Sequence, residues 1–168
     1  TMNIAILTIQ SVNYGNRLQN YALQTVLNGL GNQAHSLRRD AGFNGPVGCK
    51  LRAIKHGLGV LRHRSDSYGA FRRFDNNFIS FSDSVVSKEY TSPNLNDAYG
   101  CYVIGSDQVW NPDFDFNSEL EYLPMVSSGK KLAYAASFGV SEIVENRERT
   151  AELLTKISAI SVREAAGA

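Results

Sequence analysis

Disulfides, zinc chemistry and membrane spans are all poorly provided for in this 168-residue chain. Its two cysteines, Cys49 and Cys101, lie far apart and in no ligand-spaced pattern, so both read as reduced thiols of a cytoplasmic protein, with no zinc site and no metal. His35, His56 and His63 show no ligand spacing either and are assigned no chemistry. Net charge is only +1, so no global field points to nucleic acid. The longest apolar start, residues 4–9, is too short for a membrane span and lacks the basic flank of a signal peptide. Internal repeats and low-complexity tracts are absent as well.

What is there is ordinary globular material. A composition with 43% hydrophobic and 20% charged residues suits one domain with a real core rather than a disordered chain. Met2 reads as the native start and Thr1 as an added residue. The run Ile4-Ala5-Ile6-Leu7-Thr8 predicts a buried strand over residues 3–8. Leu23, Val26, Leu27 and Leu30 recur at helical spacing, predicting a helix from about residue 16 that Gly31-Asn32 closes. Further strands are predicted over residues 34–37, 102–104, 132–137 and 158–162. Phe71, Phe74 and Phe78 suggest a helix over residues 68–78, and Ser141 is expected to cap one running to about residue 156. Residues 41–67 carry glycines without clear periodicity and read as a loose insertion, with some helix near 51–61. Strand–helix alternation of this kind predicts an α/β, Rossmann-like domain with a mainly parallel sheet flanked by helices. The chain ends as a further helix should begin near Arg163, which reads as a cut at a domain boundary.

Four polar clusters then fall at predicted strand ends: Asn13-Tyr14-Gly15-Asn16, Gly105-Ser106-Asp107-Gln108, Ser137-Phe138-Gly139 and Arg163-Glu164. In a parallel sheet all carboxyl ends lie along one edge, so these four are expected to line one cleft. Each also has a plain structural reading: Gly15 as a turn, Asn16 as a helix cap, Asp107 as a cap or turn former. Around Asp107 the chemistry is richest. Gln108 and Asn111 both donate and accept, and Trp110 offers a flat apolar face, a mixture suited to sugars. The alternative for Trp110 is a core anchor for its loop.

Several segments together resemble the polysaccharide pyruvyl transferase family. They are Asn13-Tyr14-Gly15-Asn16-Arg17-Leu18-Gln19-Asn20-Tyr21-Ala22-Leu23-Gln24, the Phe71/Phe74 region, Gly105-Ser106-Asp107-Gln108-Val109-Trp110-Asn111, Tyr134-Ala135-Ala136-Ser137-Phe138-Gly139, and Ile160-Ser161-Val162-Arg163-Glu164. They occur in the family's order from one end of the chain to the other. The resemblance implies the N-terminal half of a glycosyltransferase-B-like architecture, with two Rossmann-like domains facing across a cleft. It implies ketal pyruvyl transfer from phosphoenolpyruvate to a sugar of a cell-surface polysaccharide or its lipid-linked precursor, without a cofactor. The family's second domain, which supplies a basic, histidine-containing part of the donor site, is not in this chain, so the chain alone is expected to be inactive.

On that resemblance Asp107 and Arg163 are the expected catalytic residues. Asn13, Tyr14, Gly15, Asn16, Gln19, Ser106, Gln108, Trp110 and Ser137 are the expected substrate-binding ones. Many members carry an aspartate where this chain has Asn16, and an amide accepts no proton at neutral pH, so no general-base role transfers to it. Arg163 matches a family arginine associated with the donor, and a guanidinium suits carboxylate or phosphate. The basic stripe Lys50, Arg52, Lys55, Arg62, Arg64, Arg72 and Arg73 reads as a solvated face, with peripheral contact to an anionic membrane as the alternative. Two other functions fit the same architecture: a non-catalytic carbohydrate-binding domain, and a nucleotide-sugar glycosyltransferase domain.

Overall fold

A computed structural model describes residues 1–11, 13–39, 66–115, 117–127 and 129–167. Six strands form one sheet in the order β3-β2-β1-β4-β5-β6, with every pairing parallel. They are β1 (Asn3–Leu7), β2 (Gln33–Arg39), β3 (Phe81–Val86), β4 (Cys101–Asp107), β5 (Lys130–Ala136) and β6 (Ala159–Val162). Helices α1 (Tyr14–Gly29), α2 (Asp66–Phe78), α3 (Leu95–Ala98) and α4 (Arg147–Thr155) flank it, with 3-10 turns at Glu119–Tyr122 and Ala165–Gly167. The strand order reverses between β1 and β4. In an open α/β sheet that switch point leaves a crevice at the carboxyl ends of the two strands.

The two central strands are apolar in unbroken runs because both their faces are buried. Ala5 and Leu7 of β1, with Tyr102 and Ile104 of β4, join Leu37, Trp110, Leu123 and Leu153 in the larger core. Ile4 and Ile6, with Cys101 and Val103, face the other way onto Leu23 of α1 and Ala34. Alternation along each strand thus sorts its side chains between two cores.

α1 departs from its amphipathic pattern. Leu23 is buried, but Val26 and Leu30 are 59% and 72% exposed. The helix is seated instead by buried polar side chains. Asn20 accepts from the Ser36 hydroxyl at 2.5 Å, and Gln24 both donates to and accepts from the Ser80 backbone at 2.8 Å. Val26 and Leu30, together with Tyr134 and Ile160, line an open apolar groove of about 560 Å³ beside β4–β6.

Other boundaries move too. α1 begins two residues earlier than its apolar periodicity suggests, because Asn13 rather than Asn16 is the cap. β3 was not expected from the sequence: its inward residues are Ser82, Ser84 and Val86, which inverts the usual pattern. Residues 141–146 are irregular where a Ser141-capped helix was expected. The β-branched pair Ile143-Val144 favours helix poorly, and α4 starts only after Asn146 turns in the left-handed region (φ 55°). Past β6 the described chain makes only the Ala165–Gly167 turn. The expected helix near 51–61, almost all of the insertion, Cys49, and the basic stripe apart from Arg72 and Arg73 lie outside the described residues; these two arginines are exposed on α2. Among the described residues no helix is long and apolar enough to cross a membrane.

Candidate functional site

Two loops meet at the switch point. After β1 the chain turns, and Asn13 adopts extended backbone (φ −142°, ψ 134°) while its Oδ1 accepts from the Gly15 amide at 2.6 Å. This satisfies one of the free donors at the start of α1. Tyr14 is 61% exposed and lays its ring 4.5 Å from that of Phe71. Arg17 stacks over the same Phe71 at 4.3 Å and bonds Asp75 at 2.9 Å, so the loop is tied to α2. Gln19, half-buried, presents an Oε1 with no partner among the described residues.

Opposite this loop, β4 ends on Asp107, whose carboxylate is held from three directions. Asn16 Nδ2 donates to Oδ2, the Gln108 amide donates to Oδ1 at 2.8 Å, and Arg163 Nη1 lies 3.5 Å from Oδ1. The Asn16 side-chain oxygen Oδ1 accepts from the Ser11 hydroxyl. Asp107 itself sits at φ 95°, and its backbone oxygen accepts from the amides of Val109 and Ser137. Gly105, at φ 108°, is required here: a Cβ would lie 2.4 Å from the Tyr134 carbonyl oxygen of β5. The Ser106 carbonyl accepts from Thr8 Oγ1 at 3.0 Å, which binds the ends of β1 and β4 together.

The third side comes from β5 and β6. The Arg163 amide donates to the Ala136 carbonyl at 3.0 Å, and its Nε donates to Glu164 at 2.5 Å. Ser137, 1% exposed, accepts from the Gly139 amide at 3.0 Å, and its hydroxyl donates to Glu164. That hydrogen bond, reinforced by Arg163, holds the Glu164 carboxyl below the usual carboxylate range. One guanidinium therefore bridges two carboxylates, and Asn16, Asp107, Ser137, Arg163 and Glu164 converge from four separate segments of the chain. Glu164 belongs with these residues although the sequence singled out its neighbour Arg163 as the functional one. Its position beside that arginine at a strand tip was the available signal.

Gln108 Oε1 accepts from Asn111 Nδ2 at 3.0 Å. Both pack over Gly139 (φ 68°), where a Cβ would lie 2.5 Å from the Asn111 amide nitrogen. Trp110 is 1% exposed, stacked on Tyr122 at 5.4 Å, and donates from Nε1 to the Glu121 carbonyl at 3.1 Å. Of the two readings of this tryptophan, its packing corresponds to the loop anchor.

Beneath it Glu121 is fully buried and ion-paired with Arg39 from the end of β2. Burial outweighs that pairing and pushes the Glu121 carboxyl up to about 7. No sequence pattern marked Glu121. Among the described residues no group of histidines, cysteines and carboxylates is arranged to hold a metal ion.

Compared with known proteins, residues 13–168 match the model of one family, described as polysaccharide pyruvyl transferase. No curated protein and no solved structure gives a significant match.

Proposed function

The chain belongs to the polysaccharide pyruvyl transferase family, and from that premise we propose that it takes part in ketal pyruvyl transfer from phosphoenolpyruvate to a saccharide, contributing the acceptor-side domain. The observation that carries this reading is the convergence of Asn16, Asp107, Arg163 and Glu164 at the β1/β4 switch point.

In the reaction a proton adds to the methylene carbon of phosphoenolpyruvate, giving positive character at C2. Two sugar hydroxyls add there, the C2–O bond to phosphate breaks, and a methyl-bearing ketal and inorganic phosphate result. Of the two hydroxyl protons released, one balances the proton taken by the methylene and the other leaves with phosphate. Asp107, locked by three donors, is suited to orient an acceptor hydroxyl. Arg163 has five N–H donors, so it can hold two carboxylates and still present a cation to the anionic donor. Asn16 fixes the Asp107 carboxylate without competing for a proton. The lone N–H groups at the start of α1 add positive potential along the same edge.

The acceptor is a sugar of a surface polysaccharide or of its lipid-linked precursor, and the reaction is placed on the cytoplasmic side of the membrane. The test, made on the chain together with the family's second, donor-side domain, is formation of a pyruvate ketal, seen by mass spectrometry, with phosphate released only when phosphoenolpyruvate and a saccharide are both present. Phosphate release without ketal formation would overturn the reading.

A further inference from the structure

A second cavity, of about 340 Å³, lies where the continuations of the Asp107 and Ser137 loops meet the start of α4. That volume is in the range of small-molecule sites. Its walls mix Phe138 with Ser118, Glu119, Glu145, Asn146 and Arg149. Ser118 Oγ is buried and has no hydrogen-bond partner among the described residues, so a ligand hydroxyl that reached it would satisfy a group now left unpaired. Asn146 turns in the left-handed region, and its side chain makes no capping bond to α4.

The charge on these walls decides the class of ligand. Arg149 is held by both Glu119 oxygens, at 2.7 and 2.6 Å, and by Glu152 at 2.5 Å. With Nε, Nη1 and Nη2 all donating to carboxylates and Glu145 beside it, Arg149 does not make an anion site, whereas Arg163 commits only Nε and Nη1 to its two carboxylates. A hydroxyl-rich neutral ligand with apolar C–H faces matches the remaining chemistry of amide, hydroxyl, carboxylate and aromatic ring. Phe138 follows Ser137 directly, so the cavity continues the edge that carries Asp107 and Glu164.

We propose that this cavity is a second saccharide subsite, holding a neutral pyranosyl residue of the acceptor next to the one whose hydroxyls meet Asp107. The proposal rests on the pyruvyl-transfer reading for the identity of the acceptor. It adds where the non-reacting part of that acceptor binds.

The test is amide chemical-shift mapping of the chain with three neutral disaccharides, cellobiose, lactose and diacetylchitobiose, at millimolar concentration, with inorganic phosphate in parallel. At least one disaccharide should shift the amides of Ser118, Glu119 and residues 143–150, and phosphate should not. Filling the cavity with Ile143→Trp should weaken that response by about tenfold or more, corresponding to roughly 1.4 kcal/mol. The surface pair Glu145→Ala and Arg149→Ala, which leaves the core untouched, should weaken it in the same direction. Shifts confined to Asn16, Asp107, Gln108 and Arg163 and indifferent to these variants would overturn the subsite while leaving pyruvyl transfer standing. Phosphate in place of sugar at these amides, or no shift with any of the three sugars, would overturn it too. Pyruvyl transfer fails separately, through the absence of ketal formation.

Discussion

Replacing Asn16 by aspartate sets a second carboxylate against Asp107. In the native chain the Asn16 amide donates to Asp107 Oδ2, and the Asp107 side chain is only 17% exposed. The Asn16→Asp variant exchanges that donor for an acceptor, so a hydrogen bond to a charged group, worth about 1.5–3 kcal/mol, becomes a repulsive contact. Arg163, 3.5 Å away and 39% exposed, screens only part of the repulsion. Two carboxylates in contact titrate as a pair, with one macroscopic pKa raised above the unfolded value. The sign follows from that rise. Stability carried by a carboxyl with a raised folded pKa is present below the unfolded pKa and is lost as pH climbs through the folded one. Asn16→Asp should therefore cost about 2 kcal/mol at pH 7.5 and less than about 0.5 kcal/mol near pH 4.5, where a shared proton restores the bond. Urea unfolding read by the single buried tryptophan, Trp110, measures both values on one probe. An equal cost at the two pH values, or no cost at pH 7.5, would refute the contact as described.

Glu121 provides a second pH signature, since its folded pKa of about 7 lies above the ordinary 4.5. Wild-type stability should fall by about 3 kcal/mol as pH rises through 7, and Glu121→Gln should flatten that decline in urea unfolding across pH 5 to 8. Gly139→Ala forces a side chain into a positive-φ position and against Asn111 and Gln108; it should cost about 2–3 kcal/mol, measured by thermal unfolding, and displace the Gln108 amide resonance. Trp110→Phe leaves the buried Glu121 carbonyl without its indole donor, so a loss of about 2 kcal/mol in urea unfolding is expected, with the sheet preserved by circular dichroism.

Much of this site was legible because its residues stand at strand ends. β1 and β4 are buried on both faces, so their apolar runs announced them, and the polar residues after each run fell at the carboxyl edge. Contact between Asn16 and Asp107, 91 positions apart, then needed only the β1/β4 adjacency that the parallel topology supplies. Where inward-facing residues are polar, the pattern misled. β3 turns Ser82 and Ser84 inward, and α1 is seated by Asn20 and Gln24 while Val26 and Leu30 stand in the open. Glu121 was illegible for a different reason. Its burial depends on Arg39 reaching it from the end of β2, and no local spacing encodes that contact.

The division of labour at the carboxyl edge is the central claim, and initial-rate kinetics of the chain together with the family's second, donor-side domain, with phosphoenolpyruvate and acceptor varied independently, test it most directly. Arg163→Ala should raise the KM for phosphoenolpyruvate by about tenfold or more with little change in the KM for acceptor, because a cation for the anionic donor is lost. Asp107→Asn should act instead on acceptor KM and turnover, since the amide keeps the shape but puts a donor where a hydroxyl needs an acceptor. Wild-type dependence on both substrates in both variants would contradict the account and reduce the two residues to a cap and a turn.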